Sequence, residues 1–180
     1  MSDKNFVLGV DLDGVVADFY MDIRPIVAEW LGEDENALSK EVTFGMKEWG
    51  IQNWGIQNEE YQDLHRFAVS RGFFRNVRPI DGAPPTLRRL SKQFDVRIRI
   101  ITHRLYLKYI HQVTVQQTIE WLEKHGVPYW DLCFMNEKDM VGASVYIEDG
   151  PENIKALQSR GKDVIIYNNS TNMNICGDLW

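Results

Sequence analysis

The chain has 180 residues, of which 44% are hydrophobic, and it carries a formal net charge of −6. A chain of this length forms one domain, or one domain with a modest insertion, and can bury a proper core. The negative charge argues against a general nucleic-acid binder and against a protein that binds membrane surfaces.

The number of cysteines and the start of the chain bear on the compartment in which the protein is expected. The two cysteines, Cys133 and Cys176, are too few for a disulfide framework and fit a reducing cytosol. A short polar start leads directly into an apolar run, without a signal peptide or membrane span before it. We therefore expect a cytoplasmic protein with no nucleic-acid or membrane partner. The sequence leaves the oligomeric state open, a homodimer included.

The first apolar run ends in two acidic residues. Residues 6–10 have the character of a fully buried strand, and Asp11, Asp13 and then Gly14 follow. A turn at Gly14 would leave both carboxylates at the carboxyl end of the strand, where open α/β sheets bind their ligands. Two like charges so close favour a bound cation such as Mg²⁺. The alternative is an ordinary Asp-Gly turn.

A second region, up to about residue 78, contains no convincing buried strand. Apolar spacing predicts a helix over residues 17–31 that stops at Gly32, with a kink or break at the interior Pro25. Further short helices are predicted over residues 36–42, 46–49 and 59–69.

A tandem repeat lies inside this region, where residues 49–53 (Trp-Gly-Ile-Gln-Asn) recur at once as residues 54–58. Five residues are too few for a solenoid unit. A local duplication in a loop is favoured over a pair of tryptophans that would stack on an aromatic ring of a ligand.

The rest of the chain alternates between helices and strands. An amphipathic helix is predicted over residues 86–94, and later helices over residues 113–125 and 152–159. Strands are predicted over the ranges 95–101, 129–135, 144–147 and 164–167. This order predicts an α/β fold with a doubly wound, Rossmann-like parallel sheet of about five strands.

Polar residues follow the later strands as well. Thr102 ends the second strand and can donate a hydrogen bond to a phosphate. Lys138 lies in the loop after the third strand, and Glu148 and Asp149 end the fourth. A second acidic pair at the end of a buried strand is costly unless it is paired or binds metal. Each feature is weak alone, but together they predict one phosphate and metal site.

With the acidic motif at residues 11–15, Thr102, Lys138 and the acidic pair at 148–149, the sequence resembles the haloacid dehalogenase superfamily of phosphotransferases. Within that superfamily it is most similar to the 5'(3')-deoxyribonucleotidases. Their opening pattern appears here at residues 11–19. Their Gly-Phe-Phe, Pro and Gly-Ala pattern appears in the range 72–83.

This resemblance implies a haloacid dehalogenase-like core of residues 1–17 and 79–180, with a small helical cap of residues 18–78 inserted after the first strand. It implies a Mg²⁺-dependent phosphomonoesterase that acts on a deoxyribonucleoside monophosphate. Asp11 would be the nucleophile that forms an aspartyl-phosphate, and Asp13, two residues on, the general acid/base.

The remaining roles follow from the same likeness. Thr102 and Lys138 would bind the phosphoryl oxygens. Mg²⁺ would be held by Asp11, by the backbone carbonyl of Asp13 and by Asp149. Phe19 would help to hold the nucleobase, unless it is only the first inward residue of its helix.

Three departures from the family pattern affect substrate and metal contacts. His103 stands where these nucleotidases have a small residue, and Glu148 stands where they have an aspartate, so the roles of both are left open. The insertion is also short and matches the nucleotidase base-binding stretch poorly. A phosphatase for another small metabolite, such as a sugar phosphate, is therefore the alternative.

Two other classes are disfavoured. A phospho-acceptor signalling module has no cap and no acid two residues after its nucleophile. An inactive scaffold would not need the full set of chemical residues.

Overall fold

The computed structural model describes residues 6–51 and 58–175. Its centre is a five-stranded, wholly parallel sheet, as the sequence predicts. The strands are β1 (Val7–Asp11), β2 (Arg97–Thr102), β3 (Asp131–Phe134), β4 (Val145–Glu148) and β5 (Val164–Ile166). Their order across the sheet is β3-β2-β1-β4-β5, so the chain moves outward from β1 on one side and then returns to its other side.

Six α-helices connect or cover the strands in the part of the chain that the structure describes. They are α1 (Phe19–Leu31), α2 (Glu59–Ser70), α3 (Phe73–Asn76), α4 (Ala83–Phe94), α5 (His111–Lys124) and α6 (Pro151–Ser159). Each of the five longer helices matches a predicted one, with ends that differ by a few residues. None of the helices in the described ranges is long and apolar enough to cross a membrane.

The helices cover both faces of the sheet. On one face, Ile98 and Ile100 of β2 join a large core with Leu87 of α4 and Trp121 of α5. On the other face, the neighbouring Ile101 packs in a smaller cluster with side chains of β4 and α6. This division follows from the twofold alternation of side chains along a strand.

In the insertion, the structure shows no break at Pro25 and no α-helix over residues 36–42, whereas a kink at Pro25 stays a prediction. Helix α1 is not interrupted at Pro25, which lies on its exposed side, where solvent can satisfy the carbonyl that proline leaves without a donor. The helix predicted over residues 36–42 is only a 3-10 turn, Glu35–Ala37. There the Asp34 carboxylate accepts a hydrogen bond from the Asn36 amide at 2.7 Å, and the Ser39 hydroxyl donates to the Glu41 carbonyl, so side chains compete with helical bonding.

The insertion leaves and rejoins the sheet at one place. The Asp18 amide donates to the Arg78 carbonyl, and the Ile80 amide donates to the Val16 carbonyl, both at 2.8 Å. Asp22 of α1 also accepts hydrogen bonds from the backbone and side chain of Arg78. Residues 18–78 therefore begin and end beside the carboxyl end of β1.

Candidate active site

The predicted functional residues lie together at the carboxyl edge of the sheet. Asp11 ends β1, Thr102 ends β2 and Glu148 ends β4. Because β1 lies between β2 and β4, these three ends are neighbours. The sheet also reverses its order of construction here, and such a switch point is where open α/β sheets form a ligand crevice.

The turn after β1 brings the two halves of the site close together. The Gly14 amide donates to the Ala17 carbonyl at 2.9 Å, and Gly14 has a φ of 88°. A Cβ atom on Gly14 would lie 2.7 Å from the Cγ of Asp149 and closer still to one of its oxygens. Glycine is thus required both for the left-handed turn and for the close approach of the Asp149 carboxylate.

Three buried carboxylates form an acidic cluster. One oxygen each from Asp11, Glu148 and Asp149 lies within 4.8 Å of the others. The sequence prediction did not assign a metal-binding role to Glu148. The Asp13 carboxylate, in contrast, is not part of this cluster, which leaves its backbone carbonyl as the predicted ligand.

Lys138 is the cation that faces this cluster. It is buried at the start of a 3-10 segment, Lys138–Val141, and its Nζ lies 2.7 Å from Asp11 Oδ1 and 2.6 Å from Glu148 Oε2. Burial opposes its charge, but the attraction of Asp11 and Glu148 outweighs burial and raises the pKa of Lys138. The ammonium is therefore firmly charged beside the predicted nucleophile.

Crowding changes the ionisation of the acids. Burial, together with the charge of Glu148, raises the pKa of Asp11 to about 7 although Lys138 opposes this rise. Burial and the charge of Asp11 also raise the pKa of Asp149 well above its ordinary value. Three negative charges face the single positive charge of Lys138, so the cluster has an excess of two when all are ionised.

This donor set fits a hard divalent cation. Mg²⁺ prefers carboxylate oxygens and water, and a charge of +2 would offset the excess of two that the cluster carries. The raised pKa values of Asp11 and Asp149 have the same two causes, burial first and then the negative charge of neighbouring carboxylates, and a bound cation would offset the second.

Two asparagines in the segment after β5 support Asp149. The side-chain amide of Asn169 donates to Asp149 Oδ2 at 2.8 Å, and that of Asn172 donates to the Asp149 carbonyl at 2.9 Å. The sequence analysis assigned no role to these two asparagines. The only available signal was the run of Asn, Ser and Thr directly after a strand.

Asp13 is held by an arginine that sequence reasoning also missed. Arg104 Nε lies 2.9 Å from Asp13 Oδ2, and Arg104 Nη2 lies 2.6 Å from Oδ1. Arg104 comes two residues after Thr102 and is almost fully buried. A basic residue so soon after the second motif was the available signal.

Thr102 and His103 both line the cleft above the cluster. Thr102 is buried and His103 is half-buried. Burial, and then the charge of Lys138, lowers the pKa of His103. His103 also packs against the Tyr106 ring, with centroids 5.2 Å apart. A neutral imidazole therefore lies beside the site.

The cleft has a volume of about 410 Å³ and extends from the acidic cluster to an aromatic wall. This is within the ~300–1,000 Å³ typical of small-molecule pockets. Six aromatic side chains line it, Phe19, Tyr20, Phe44, Tyr61, Phe74 and Tyr106. Phe19 belongs to the hydrophobic core and also lines the cleft, so its role in holding a nucleobase stays a prediction.

The first tryptophan of the tandem repeat, Trp49, is buried and not exposed for stacking. Trp49 is only 3% exposed, and its indole N–H donates to the Ser39 carbonyl at 2.8 Å. Trp49 therefore supports the insertion from inside. The second tryptophan, Trp54, lies outside the described residues.

Two comparisons with known proteins, one with family models and one with curated proteins, indicate the same family. The model of the family described as "5' nucleotidase, deoxy (Pyrimidine), cytosolic type C protein" matches residues 5–179. A curated protein of Chlorobaculum tepidum, named "Putative 5'(3')-deoxyribonucleotidase", is 51% identical over 176 residues. That match covers 97% of this chain and 85% of the relative.

Solved structures with low identity share the fold. A protein of Bacteroides fragilis described as a haloacid dehalogenase-like hydrolase gives a TM-score of 0.62 at 16% identity. The match covers 96% of this chain and 91% of the Bacteroides chain. A hydrolase of Streptococcus pneumoniae TIGR4 gives 0.57 at 18% identity, covering 92% and 94%. The architecture is therefore that of the haloacid dehalogenase-like hydrolases.

Proposed function

The chain belongs to the family of cytosolic type C 5'-deoxynucleotidases, within the haloacid dehalogenase superfamily, and we propose that it hydrolyses deoxyribonucleoside monophosphates with the help of Mg²⁺. It is a hydrolase of the phosphatase class. The observation that carries the proposal is the contact of Lys138 with Asp11 beside Glu148 and Asp149, at the bottom of an aromatic cleft. A phosphate would meet charged groups there, while a base would meet rings.

In the first step, an oxygen of Asp11 attacks the phosphorus of the bound monoester. The bond between phosphorus and the ester oxygen breaks, and its electron pair stays on that oxygen. Asp13 donates a proton to the leaving oxygen, so the nucleoside departs as a neutral alcohol. The phosphoryl group is now on Asp11, as an aspartyl-phosphate.

In the second step, the Asp13 carboxylate removes a proton from a water molecule, whose oxygen attacks the phosphorus. The bond from phosphorus to Asp11 breaks, which restores the Asp11 carboxylate and releases inorganic phosphate. Asp13 is again protonated. One water is consumed for each ester cleaved.

Two side chains of this chain would stabilise the charge on the phosphoryl oxygens. Lys138 is charged and close to Asp11, and Thr102 can donate from the end of the neighbouring strand. Asp11, Asp149 and the Asp13 carbonyl would hold Mg²⁺, and the acidic cluster adds Glu148 as a further donor. When bound, the ion would supply charge neutralisation for the phosphate and the carboxylates.

We propose that residues 18–78 determine which substrate is accepted. They act as a cap on a core of residues 1–17 and 79–180. Phe19, Tyr20, Phe44 and Tyr61 of this segment line the cleft. A nucleobase can form aromatic stacking contacts with such rings, whereas a sugar phosphate has no aromatic ring. We infer a cytoplasmic enzyme with a small-molecule partner and no nucleic-acid partner.

The test is phosphate release from a panel of deoxynucleoside, ribonucleoside and sugar monophosphates, with Mg²⁺ or with EDTA. We expect turnover of deoxynucleotides, pyrimidine ones included, and loss of activity in EDTA. Good turnover of a sugar phosphate with none of any nucleotide would reject the nucleotidase assignment and leave only the phosphatase class.

A variant tests the two-step chemistry. Asp13→Asn should lower turnover by about 10²–10⁴-fold, the usual contribution of a general acid/base. Unchanged turnover of this variant would remove Asp13 from the mechanism. Stable phosphorylation of the wild-type chain without turnover would instead indicate a signalling module.

A further inference from the structure

A buried arginine lies next to the proposed general acid/base. Arg104 belongs to a 3-10 turn, Arg104–Tyr106, that follows β2, and it is only 2% exposed. Its guanidinium lines the same cleft as Asp11 and Asp13. The family resemblance assigns no role to this residue.

The contact between Arg104 and Asp13 is two-pronged. Nε and Nη2 of Arg104 donate to the two different oxygens of Asp13, at 2.9 and 2.6 Å. Such a fork fixes the plane of a carboxylate as well as its position, which a single hydrogen bond cannot do. The Asp13 side chain nevertheless remains 23% exposed towards the cleft.

Arg104 is itself fixed from two further sides. Its Nη1 donates to Thr118 Oγ1 of α5 at 3.0 Å, and that hydroxyl donates onward to the Thr114 carbonyl at 2.8 Å. Its guanidinium carbon lies 4.1 Å from the centre of the Phe74 ring. The orientation of Asp13 is thus connected, through one side chain, to helices α3 and α5.

We propose that Arg104 is a positioning residue that sets the orientation of the Asp13 carboxylate for proton transfer to the leaving oxygen. This inference rests on the proposed function. A general acid/base must lie within hydrogen-bond reach of the atom that it serves, so a misplaced Asp13 carboxylate is an ineffective one. Arg104 acts through Asp13 and needs no contact with substrate.

The inference predicts a dependence on the leaving group. A nucleoside alkoxide leaves poorly without a proton, whereas p-nitrophenolate is a stable anion that needs little help. Loss of Arg104 should therefore slow phosphoryl transfer from a nucleotide much more than from p-nitrophenyl phosphate. A general loss of structure would slow both substrates alike.

The experiment measures the first turnover of each substrate with Mg²⁺ present. The burst of thymidine from its 5'-monophosphate is followed by rapid quench, and that of p-nitrophenol by stopped flow. Arg104→Gln should lower the nucleotide burst rate by about 100-fold or more and the p-nitrophenyl rate by less than about 10-fold. We call this difference between the losses in the two burst rates the split. Arg104→Lys keeps the charge but not the two-pronged contact, and should show a smaller split in the same direction.

Two further variants make the result specific. Thr118→Val removes the acceptor of Nη1 without touching Asp13, and should give a smaller split in the same direction. Arg24→Gln removes another buried arginine, which donates to the carbonyls of Glu35 and Leu38 away from the cleft. It should lower stability but leave the ratio of the two burst rates at the wild-type value.

The outcomes separate this inference from the proposed function. Asp13→Asn should show the full split. If it does not, both the acid role of Asp13 and the positioning role of Arg104 are rejected. A split in Asp13→Asn together with an unchanged ratio in Arg104→Gln would overturn the role of Arg104 alone. A wild-type ratio in Arg104→Lys would show that charge suffices, and would overturn the role of the fork.

Discussion

At the scale of single residues, Gly14 is the position where backbone and site depend most directly on each other. Its φ of 88° is in the left-handed region, and a side chain there would collide with the Asp149 carboxylate. We expect Gly14→Ala to lower phosphatase activity by about 100-fold or more, because displacement of a group in the site by an ångström can cost that much. The measurement is the rate of phosphate release at saturating Mg²⁺.

Gly32 offers a matched control for this change. It also has a positive φ, of 70°, at the end of α1, but a Cβ atom there would meet no atom within 4 Å. Gly32→Ala should therefore cost only about 1–2 kcal/mol of unfolding free energy from backbone strain and leave the rate unchanged. Equal loss of activity in the two variants would mean that strain, and not the approach to Asp149, sets the effect.

Asp149 allows a test of the metal that does not depend on activity. At 100 times its dissociation constant, Mg²⁺ should stabilise the wild-type chain by about 2.7 kcal/mol, seen as a higher melting temperature. Asp149→Asn should lose most of this shift. Without Mg²⁺, the variant should be at least as stable as wild type, since one buried charge near Asp11 and Glu148 is gone.

Glu33→Gln is the control for the metal experiment, because Glu33 is an exposed acid in a loop away from the cluster. It should keep the full Mg²⁺ shift. A full shift in Asp149→Asn as well would show that the ion binds elsewhere.

The residues of the site differ in how far the sequence could predict them. Asp11 and Thr102 end strands and Lys138 follows one, so the rule that parallel strands present their carboxyl ends at one edge was enough to group them. Arg104 and Asn169 also follow strands, but arginines and asparagines are common in such loops, and nothing in their spacing distinguishes a buried partner from a solvated one. Their roles depend on tertiary packing.

At the scale of elements, Pro25 is the clearest conflict between local preference and structure. Proline in a helix interior removes one hydrogen bond, yet α1 continues through it for six more residues, to Leu31. Packing of Ile23 and Val27, both fully buried, holds the helix in place on either side. Tertiary burial here outweighs the intrinsic penalty.

This conflict predicts a stabilising substitution. Pro25→Ala restores the amide donor on the exposed side of α1, and we expect it to raise the unfolding free energy by about 1 kcal/mol. The gain is smaller than the ~3 kcal/mol intrinsic difference because alanine also frees the unfolded chain. Pro85→Ala is the control, since Pro85 lies in the first turn of α4, where no amide donor is missing. Urea unfolding of both variants measures the difference, and a loss of stability in Pro25→Ala would contradict the argument.

Element types were easier to predict from sequence than element neighbours. The apolar runs and glycine stops fixed five strands and five long helices to within a few residues. The order β3-β2-β1-β4-β5 could not be obtained in the same way, because no local pattern specifies which buried strands pair. The helix prediction for residues 36–42 failed for a different reason. The hydroxyl and carboxylate groups there form hydrogen bonds with nearby backbone, which competes with helix formation.

At the scale of the whole molecule, the inserted segment and the sheet meet through a small group of aromatic rings. His65 of α2 is buried among Phe19, Tyr61 and Tyr106, with ring centroids 4.2–6.0 Å away. Tyr106 belongs to the loop after β2, whereas the other three rings belong to the inserted segment. The hydroxyls of Tyr61 and Tyr106 are 3.0 Å apart, so polar and apolar contacts join the two parts.

This junction predicts a pH dependence of overall stability. Burial lowers the pKa of His65 to about 3, although the charge of Asp13 opposes this, against an ordinary value of 6.5. Between those values the unfolded chain binds a proton that the folded chain does not. Acid therefore favours unfolding, and stability falls as the pH drops below about 6.5, by up to ~1.4 kcal/mol per pH unit from this residue.

His65→Gln should remove this component, and His125→Gln is the control because burial lowers the pKa of that imidazole too, but at a less buried position. Urea unfolding of the three chains from pH 7.5 to pH 4, without Mg²⁺, gives the comparison. The carboxylates of the acidic cluster titrate in all three chains and cancel in the difference. The curve of His65→Gln should be flatter than wild type below pH 6.5, and that of His125→Gln nearly parallel to wild type. A His65→Gln curve parallel to wild type would mean that the imidazole becomes protonated inside the fold, and that the aromatic junction opens before the sheet unfolds.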